Sequence, residues 1–204
     1  EGMGEKRVRS VHLRGCRAVA TSGLSVLVWD LTPQEGCDTM PTKPSRTIEC
    51  SDTVVSVSLN TDGTRVAAAY DNEVQVWNLT DDVAQPVTFQ GHKGIVHSVS
   101  MDPDGTQVVS SSADGTVITW DVQGGGAIIK QHQFETNRQP HSVCWSRNLG
   151  PVSGHEDGTL RLIQSADEPH SVGSEAGQRV VSVSCCDNYV VSGSNDGKVR
   201  LYDG

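Results

Sequence analysis

One pattern recurs five times along this chain of 204 residues, and it constrains the fold more than any other feature. Each copy has a turn, then alternating apolar residues, then a bulky side chain that is usually followed by Asp or Asn. The bulky side chains are spaced by 48, 43, 43 and 39 positions, and they are Trp29, Trp77, Trp120, Ile163 and Tyr202. A period of about 40–45 residues suits a unit of four short strands, so we expect a repeated β architecture.

A second similarity lies upstream of the bulky residues and favours strands over helices. Residues 54–72, 96–115 and 180–197 each contain a strand, a turn, a second strand and another turn. The Asp62-Gly63 and Asp104-Gly105 pairs supply the positive φ that tight hairpin turns require. Apolar and polar residues alternate in the strands, and no helical periodicity persists over ten residues. These features predict an all-β fold.

Residues 91–121 form the most complete copy, and they resemble a WD repeat. Their sequence, GHKGIVHSVSMDPDGTQVVSSSADGTVITWD, has the Gly-His opening, the Pro-Asp-Gly turn, the Ser-rich strand and the closing Trp-Asp. The resemblance implies an all-β WD-repeat β-propeller in which each repeat forms one blade. We expect a single propeller region over 1–204, with blades near 8–50, 51–92, 93–136, 137–176 and 177–204. Four blades would be complete, and the fifth would have three strands.

The family resemblance also implies a hydrogen-bonded relay within a repeat. In WD repeats the relay joins a His before the first strand, a hydroxyl on the second, a turn Asp and a Trp on the third strand. Here these residues are His92, Ser110 (or Ser112), Asp114 and Trp120. A buried Asp needs such donors to offset the cost of its burial. The other repeats keep only parts of the relay: Asp71 and Trp77 with Cys50 at the His position; Asp157 with Thr136 and Ile163; Asp196 with Ala176 and Tyr202; and Gly23 at the Asp position of the first repeat.

Motifs that carry catalysis, metals or phosphates are missing from the sequence. The six cysteines have no C-x-x-C spacing, so we expect free thiols in a reducing compartment rather than a zinc site. His155 belongs to a polar turn, His-Glu-Asp-Gly, and has no metal-binding partner at helical spacing. Gly124-Gly125-Gly126 lacks the Lys of a phosphate loop, and no nucleophile elbow occurs. We therefore expect no enzyme activity, no metal and no cofactor.

Charge and hydropathy narrow the classes of partner. The net charge of −9 disfavours direct binding to nucleic acid, because such binding relies on clustered Lys and Arg side chains. No apolar run approaches the ~20 residues of a membrane-spanning helix, so we expect no membrane insertion. The resemblance implies a scaffold for other proteins, located in the cytoplasm or nucleus. Two alternatives remain open: a ligand- or glycan-binding propeller, and a non-catalytic subunit of a nucleic-acid-processing assembly.

The resemblance further implies a partner-binding face. WD propellers favour two positions in each blade: the residue before the turn Asp, and a residue near the start of the first strand. Because aromatic residues and Arg are enriched in binding hot spots, Tyr70 and Arg179 are the strongest candidates. The aligned pairs are Tyr70 with Thr53, Ala113 with Ile95, Glu156 with Gln139, and Asn195 with Arg179.

The phase of the repeat leaves the last blade incomplete. A three-stranded fifth blade would have unpaired backbone groups at its edge, and propellers as a group have four to eight blades. Three explanations stay open: the chain is part of a longer propeller, a partner chain or second copy supplies the missing strands, or the chain forms a small, irregular ring. Residues 32–45 form the one large insertion, which its Pro, Gly and Thr content predicts to be a surface loop.

Overall fold

The computed structural model describes residues 7–32, 41–81, 83–163, 170–174 and 177–203. The described residues form nineteen strands and a single 3-10 helical turn over Thr136–Arg138, which confirms the all-β class. Residues 33–40, the middle of the predicted insertion, lie outside the described residues.

The strands form five antiparallel sheets, which we call blades 1 to 5. Blade 1 contains β1 (Val11–Arg14), β2 (Arg17–Ser22), β3 (Ser25–Asp30) and β4 (Arg46–Glu49). Blade 2 contains β5 (Val54–Leu59), β6 (Arg65–Tyr70), β7 (Glu73–Asn78) and β8 (Val87–Gln90). Blade 3 contains β9 (Val96–Met101), β10 (Gln107–Ser112), β11 (Thr116–Asp121) and β12 (Ala127–Gln133). Blade 4 contains β13 (Pro140–Ser146), β14 (Gly150–His155), β15 (Thr159–Leu162) and β16 (His170–Ser174), and blade 5 contains β17 (Val180–Cys186), β18 (Tyr189–Ser194) and β19 (Val199–Asp203).

Within each blade, consecutive strands are neighbours in the sheet, as expected for hairpin-connected repeats. The turn glycines adopt the predicted left-handed conformation, with φ of 71° at Gly63 and 72° at Gly105. The Asp before Gly63 contributes as well, because Asp62 Oδ1 accepts a hydrogen bond of 2.9 Å from the backbone nitrogen of Thr64. Asp-Gly-Thr therefore closes the hairpin through both backbone and side chain.

Adjacent blades pack face to face through their apolar residues. Between blades 1 and 2, Val19 and Ile48 belong to one buried cluster with Val66 and Trp77. Between blades 2 and 3, Phe89 stacks on Trp120 with ring centroids 5.4 Å apart. The bulky residue of the repeat thus fills the seam between its own blade and the preceding one.

The first strands of all five blades line one central cavity of about 280 Å³. Each of these strands carries a Ser-Val-x triplet, starting at Ser10, Ser56, Ser98, Ser142 and Ser182. The side chains of the triplet accept hydrogen bonds from backbone amides of the next blade, and we call this set of bonds the lateral ladder. Its bonds run from Val57 to Ser10, Leu59 to His12, Val99 to Ser56, Met101 to Ser58, Val143 to Ser98, Trp145 to Ser100 and Val183 to Ser142, at 2.7–3.2 Å.

A disulfide occupies the eighth position of this ladder. Cys144 on β13 is bonded to Cys185 on β17, with Cα atoms 5.8 Å apart. The expectation of a free thiol is therefore wrong for these two cysteines. The reason is positional: the two residues stand opposite each other on the first strands of adjacent blades, which spacing along the chain does not reveal. Among the described residues, Cys16, Cys50 and Cys186 are free thiols.

Candidate functional site

The structure brings the four predicted relay residues together in blade 3. The indole Nε1 of Trp120 donates to Ser110 Oγ at 2.8 Å, and Ser110 Oγ lies 2.7 Å from His92 Nε2. The other ring nitrogen, His92 Nδ1, lies 3.2 Å from Asp114 Oδ2. Ser112, the alternative hydroxyl, donates to the backbone carbonyl of Gly94 instead.

The chemistry of the four groups sets the direction of the hydrogen bonds. Asp114 can only accept when ionised, so His92 Nδ1 carries the proton and His92 Nε2 accepts from the Ser110 hydroxyl. Burial lowers the pKa of His92, although the Asp114 carboxylate opposes that effect. Burial acts to raise the pKa of Asp114, but hydrogen bonds from Thr116 and from the Lys93 backbone outweigh it and lower that pKa overall. At neutral pH the relay is a neutral imidazole beside a carboxylate.

Blade 4 replaces this relay with a different histidine. His155 is fully buried, whereas its sequence context predicted an ordinary turn residue. Its Nε2 lies 2.7 Å from Ser153 Oγ, and its Nδ1 lies 2.7 Å from the carbonyl oxygen of Arg138. Ser153 pairs across the hairpin with Arg161 as Ser110 pairs with Ile118, so the two serines are equivalent. Burial lowers the pKa of His155 to about 4.

The turn Asp residues of blades 4 and 5 pair with arginines instead of a histidine. Asp157 Oδ2 lies 3.1 Å from Arg161 Nη2, and Asp196 Oδ2 lies 2.5 Å from Arg200 Nη2. Asp157 also lies 3.5 Å from Arg138 Nε. The residue expected to replace His in the fifth repeat, Ala176, lies outside the described residues. In both blades, an Arg four residues after the turn Asp therefore pairs with that Asp in place of the relay histidine.

Most of the predicted face residues lie at the surface, at the ends of the strands beside the relay. The side chains of Glu156 and Arg179 are 43% and 41% exposed, and Ile95 is 54% exposed. Asn195 is also exposed, while Thr53 and Gln139 are half-buried.

Tyr70 is a correction, because only 2% of this residue is exposed. It is the last residue of β6, pairs with Glu73 across a tight turn, and packs into the core between blades 1 and 2. The turn in blade 2 has no residue that corresponds to Ala113, which precedes the turn Asp of blade 3. Tyr70 therefore stays within the strand, and the prediction that it faces a partner is wrong.

Two of the predicted face residues form part of a polar cluster that spans three blades. Glu156 Oε2 lies 3.7 Å from Arg179 Nε of blade 5 and contacts His141 Nε2 of its own blade. The His141 ring lies 5.4 Å, centroid to centroid, from His97 of blade 3. Burial lowers the pKa of His97, and its electrostatic interactions with His141 and Arg179 lower it further. The two histidines follow the predicted face positions by two residues, so the alternation of the strand could have indicated them.

The described part of the chain contains no group of three or more His, Cys, Asp or Glu side chains that could hold a metal ion. It also contains no helix with the length and apolar character of a membrane span.

Comparison of the sequence with protein families identifies a known repeat along the chain. The family model described as "WD domain, G-beta repeat" matches residues 42–78, 84–121 and 169–203, which together make up more than half of the chain. The matches include the blade that carries the complete relay and leave out most of blade 4, where the relay is replaced.

Individual relatives have repeats of the same type. The chain is 35% identical over 85 residues to "Small ribosomal subunit protein RACK1y" of Oryza sativa subsp. japonica, covering 42% of this chain and 24% of the relative. It is 26% identical over 167 residues to "Eukaryotic translation initiation factor 3 subunit I" of Neurospora crassa, covering 74% and 47%. It is 38% identical over 81 residues to "Target of rapamycin complex subunit LST8" of Saccharomyces cerevisiae, covering 39% and 27%. The chain thus spans less than half the length of these curated relatives.

Proposed function

Because this chain belongs to the WD domain, G-beta repeat family, we propose that it is a non-catalytic platform that binds other proteins within a multiprotein assembly. The observation that carries the proposal is a set of exposed side chains from three adjacent blades, placed directly before or after their strands. Ile95 of blade 3, Glu156 of blade 4 and Arg179 and Asn195 of blade 5 all lie at one end of the strands. The relay and the lateral ladder hold those strands in place behind them.

The names of the relatives support this class of function. They include a subunit of a translation initiation factor, a subunit of a target of rapamycin complex and a small ribosomal subunit protein. For this chain we likewise propose a subunit role and an intracellular location.

The exposed residues favour a specific mode of binding. Arg179 and Glu156 are paired with each other, and Ile95 offers an exposed apolar side chain at the same end of the strands. A few anchors of this kind commonly supply most of the binding free energy of a protein interface. We propose Ile95, Gln139, Glu156, Arg179 and Asn195 as the partner-binding set, with Thr53 at its margin.

We also propose that further β structure, from the remainder of a longer protein or from another chain, covers the face of blade 5 that is turned away from blade 4. Val191, Val199 and Leu201 are 38%, 75% and 66% exposed on that face. In blade 3 the equivalent positions by strand pairing are Val109, Val117 and Thr119, which blade 4 buries. Several large apolar side chains exposed together on one face usually mark a surface that another segment or chain covers.

The test is affinity purification of the tagged native protein with quantitative mass spectrometry, comparing wild type with the double variant Ile95→Asp/Arg179→Glu. We expect at least one associated protein to fall about tenfold or more, because hot-spot residues typically contribute about 2 kcal/mol each. Gln123→Arg, on the exposed turn at the other end of the strands, serves as the control. An unchanged set of partners with a folded double variant would contradict the proposal.

A further inference from the structure

The seams between blades differ in how well they are filled. At the seam of blades 2 and 3, Phe89 stacks on Trp120, and Val87 lies partly buried beside them. At the seam of blades 1 and 2, Ile48 and Trp77 share one cluster. In both cases a large apolar residue on the fourth strand of one blade shares a cluster with a tryptophan of the next.

The seam between blades 3 and 4 has smaller or more polar residues at the same positions. Strand pairing makes His132 the equivalent of Phe89, and Lys130 the equivalent of Val87. The tryptophan position of blade 4 is Ile163, which has no indole. An open cavity of about 450 Å³ lies at this seam, next to Ile163. Its volume falls within the range of about 300–1,000 Å³ that is typical of ligand sites.

The wall of this cavity is apolar and carries positive charge. Ile129, Trp145, Leu149, Pro151 and Ile163 line it, together with Lys130 and Arg147. No Asp or Glu is among its lining residues, although the whole chain has a net charge of −9. The cavity is therefore a local cationic and apolar site on an acidic protein.

Two polar groups at the cavity are available to a ligand. Within the part of the chain that the structure describes, Arg147 forms no ion pair, and its side chain belongs to an exposed residue. The Trp145 backbone donates to Ser100, but its indole N–H has no hydrogen-bond acceptor among the described residues. Ile129 is 51% exposed at the rim. An occupant that buries an apolar group here could also accept hydrogen bonds from Arg147 and Trp145.

We propose that this cavity, formed where Ile163 replaces the tryptophan of the repeat, binds an acidic segment of a partner protein that inserts one bulky apolar side chain. Charge complementarity favours an acidic segment at this cavity. Arg147 and Lys130 attract such a segment, whereas the net negative charge of the rest of the protein repels it. The apolar side chain enters the cavity beside Ile163, at the position that tryptophan occupies in blades 2 and 3. The inference rests on the proposed scaffold function, but its site lies apart from Ile95 and Arg179.

The probe is a fluorescein-labelled, blocked heptapeptide with a central tryptophan flanked on each side by three glutamates. Binding to the folded chain is measured by fluorescence anisotropy at low and high salt, and the indole N–H resonance of Trp145 is followed by NMR. Two variants test the site: Arg147→Glu reverses its charge, and Ile163→Trp restores the repeat residue and fills the cavity. Lys198→Glu, an exposed cation in blade 5, is the charge-matched control. Thermal unfolding shows that each variant is folded.

We expect saturable binding that weakens about tenfold or more in each site variant, equivalent to about 1.4 kcal/mol, and stays unchanged in Lys198→Glu. Added salt should weaken it, and a peptide with lysine flanks should not bind. Several results would overturn the inference: no saturable binding to the wild type, equal affinity for the lysine-flanked peptide, or insensitivity to Arg147→Glu. Equal affinity for indole-3-acetate alone would assign the cavity to small molecules instead. If peptide binding fails while Ile95→Asp/Arg179→Glu still loses a partner, only this inference is removed.

Discussion

The indole nitrogen of Trp120 donates a 2.8 Å hydrogen bond to the hydroxyl of Ser110, and both residues are completely buried. The same hydroxyl lies 2.7 Å from His92 Nε2, so one oxygen satisfies two buried groups. The relay therefore joins the third strand of blade 3 to the segment that precedes its first strand. Removal of this oxygen should cost more than the loss of a single hydrogen bond.

Ser110→Ala should lower the free energy of unfolding by about 2–3 kcal/mol, because it leaves the Trp120 donor and the His92 acceptor buried without partners. Urea denaturation followed by tryptophan fluorescence measures the change. Ser192 of blade 5 is the matched control: it occupies the equivalent position, but its hydroxyl forms no hydrogen bond with a described residue. Ser192→Ala should change stability by less than about 0.5 kcal/mol. Equal effects of the two substitutions would contradict a relay at Ser110.

The lateral ladder should contribute to stability in the same way. Ser58 accepts a 3.0 Å hydrogen bond from the backbone nitrogen of Met101, and both residues are buried. Ser58→Ala should therefore cost about 1–2 kcal/mol, since a buried amide loses its acceptor. Ser184→Ala is the matched control, because Ser184 occupies the same triplet position in blade 5, where the first strand is exposed. Hydrogen exchange of the Met101 amide should accelerate in Ser58→Ala, and an unchanged rate would argue against the ladder.

His155 should make the protein sensitive to mild acid. Burial holds its pKa near 4 in the folded chain, below the ordinary value of 6.5. The unfolded chain then binds the proton more readily, so the stability contribution is complete above pH 6.5 and falls as the pH decreases from 6.5 towards 4. This one residue should contribute a slope of about 1.4 kcal/mol per pH unit in that window. Burial shifts the pKa of His12 and His92 in the same direction.

Denaturation midpoints measured between pH 7.5 and 4 test this dependence. His155→Gln has no titrating group, so its stability should decline less steeply with falling pH than that of the wild type. Parallel curves for the two proteins would mean that His155 does not titrate in this range.

The sequence was sufficient for the fold because the repeat is encoded locally. Turn pairs such as Asp62-Gly63, the alternation of apolar residues and the recurring bulky residue each specify a hairpin or a blade seam. The complete relay of blade 3 could be predicted for the same reason, since its four residues follow the family spacing.

Features that depend on contact between blades could not be predicted in this way. Tyr70 looked like a surface residue because alignment shifted it into a turn, whereas strand pairing buries it. His155 looked like part of a polar turn, yet it lies in the core beside Ser153, in a blade that lacks the usual relay histidine. The Ser-Val-x triplets act between the first strands of neighbouring blades, a contact that the local sequence pattern does not specify.

The Cys144–Cys185 bond is the feature that sequence spacing least suggested, and it makes a testable contribution. It closes a loop of 41 residues between blades 4 and 5, and a chain-entropy estimate for such a loop is about 4 kcal/mol. Oxidised wild type should therefore resist urea better than reduced wild type.

In Cys144→Ser/Cys185→Ala, the new serine matches the ladder position of Ser58 and Ser100, so its hydroxyl can accept a hydrogen bond from the backbone amide of residue 185. This variant should be at least as stable as the reduced wild type and should ignore reductant. Peptide mapping in glutathione buffers at cytosolic potential would measure the fraction of chains that carry the disulfide. If reductant does not change the urea resistance of the wild type, the disulfide does not stabilise the fold.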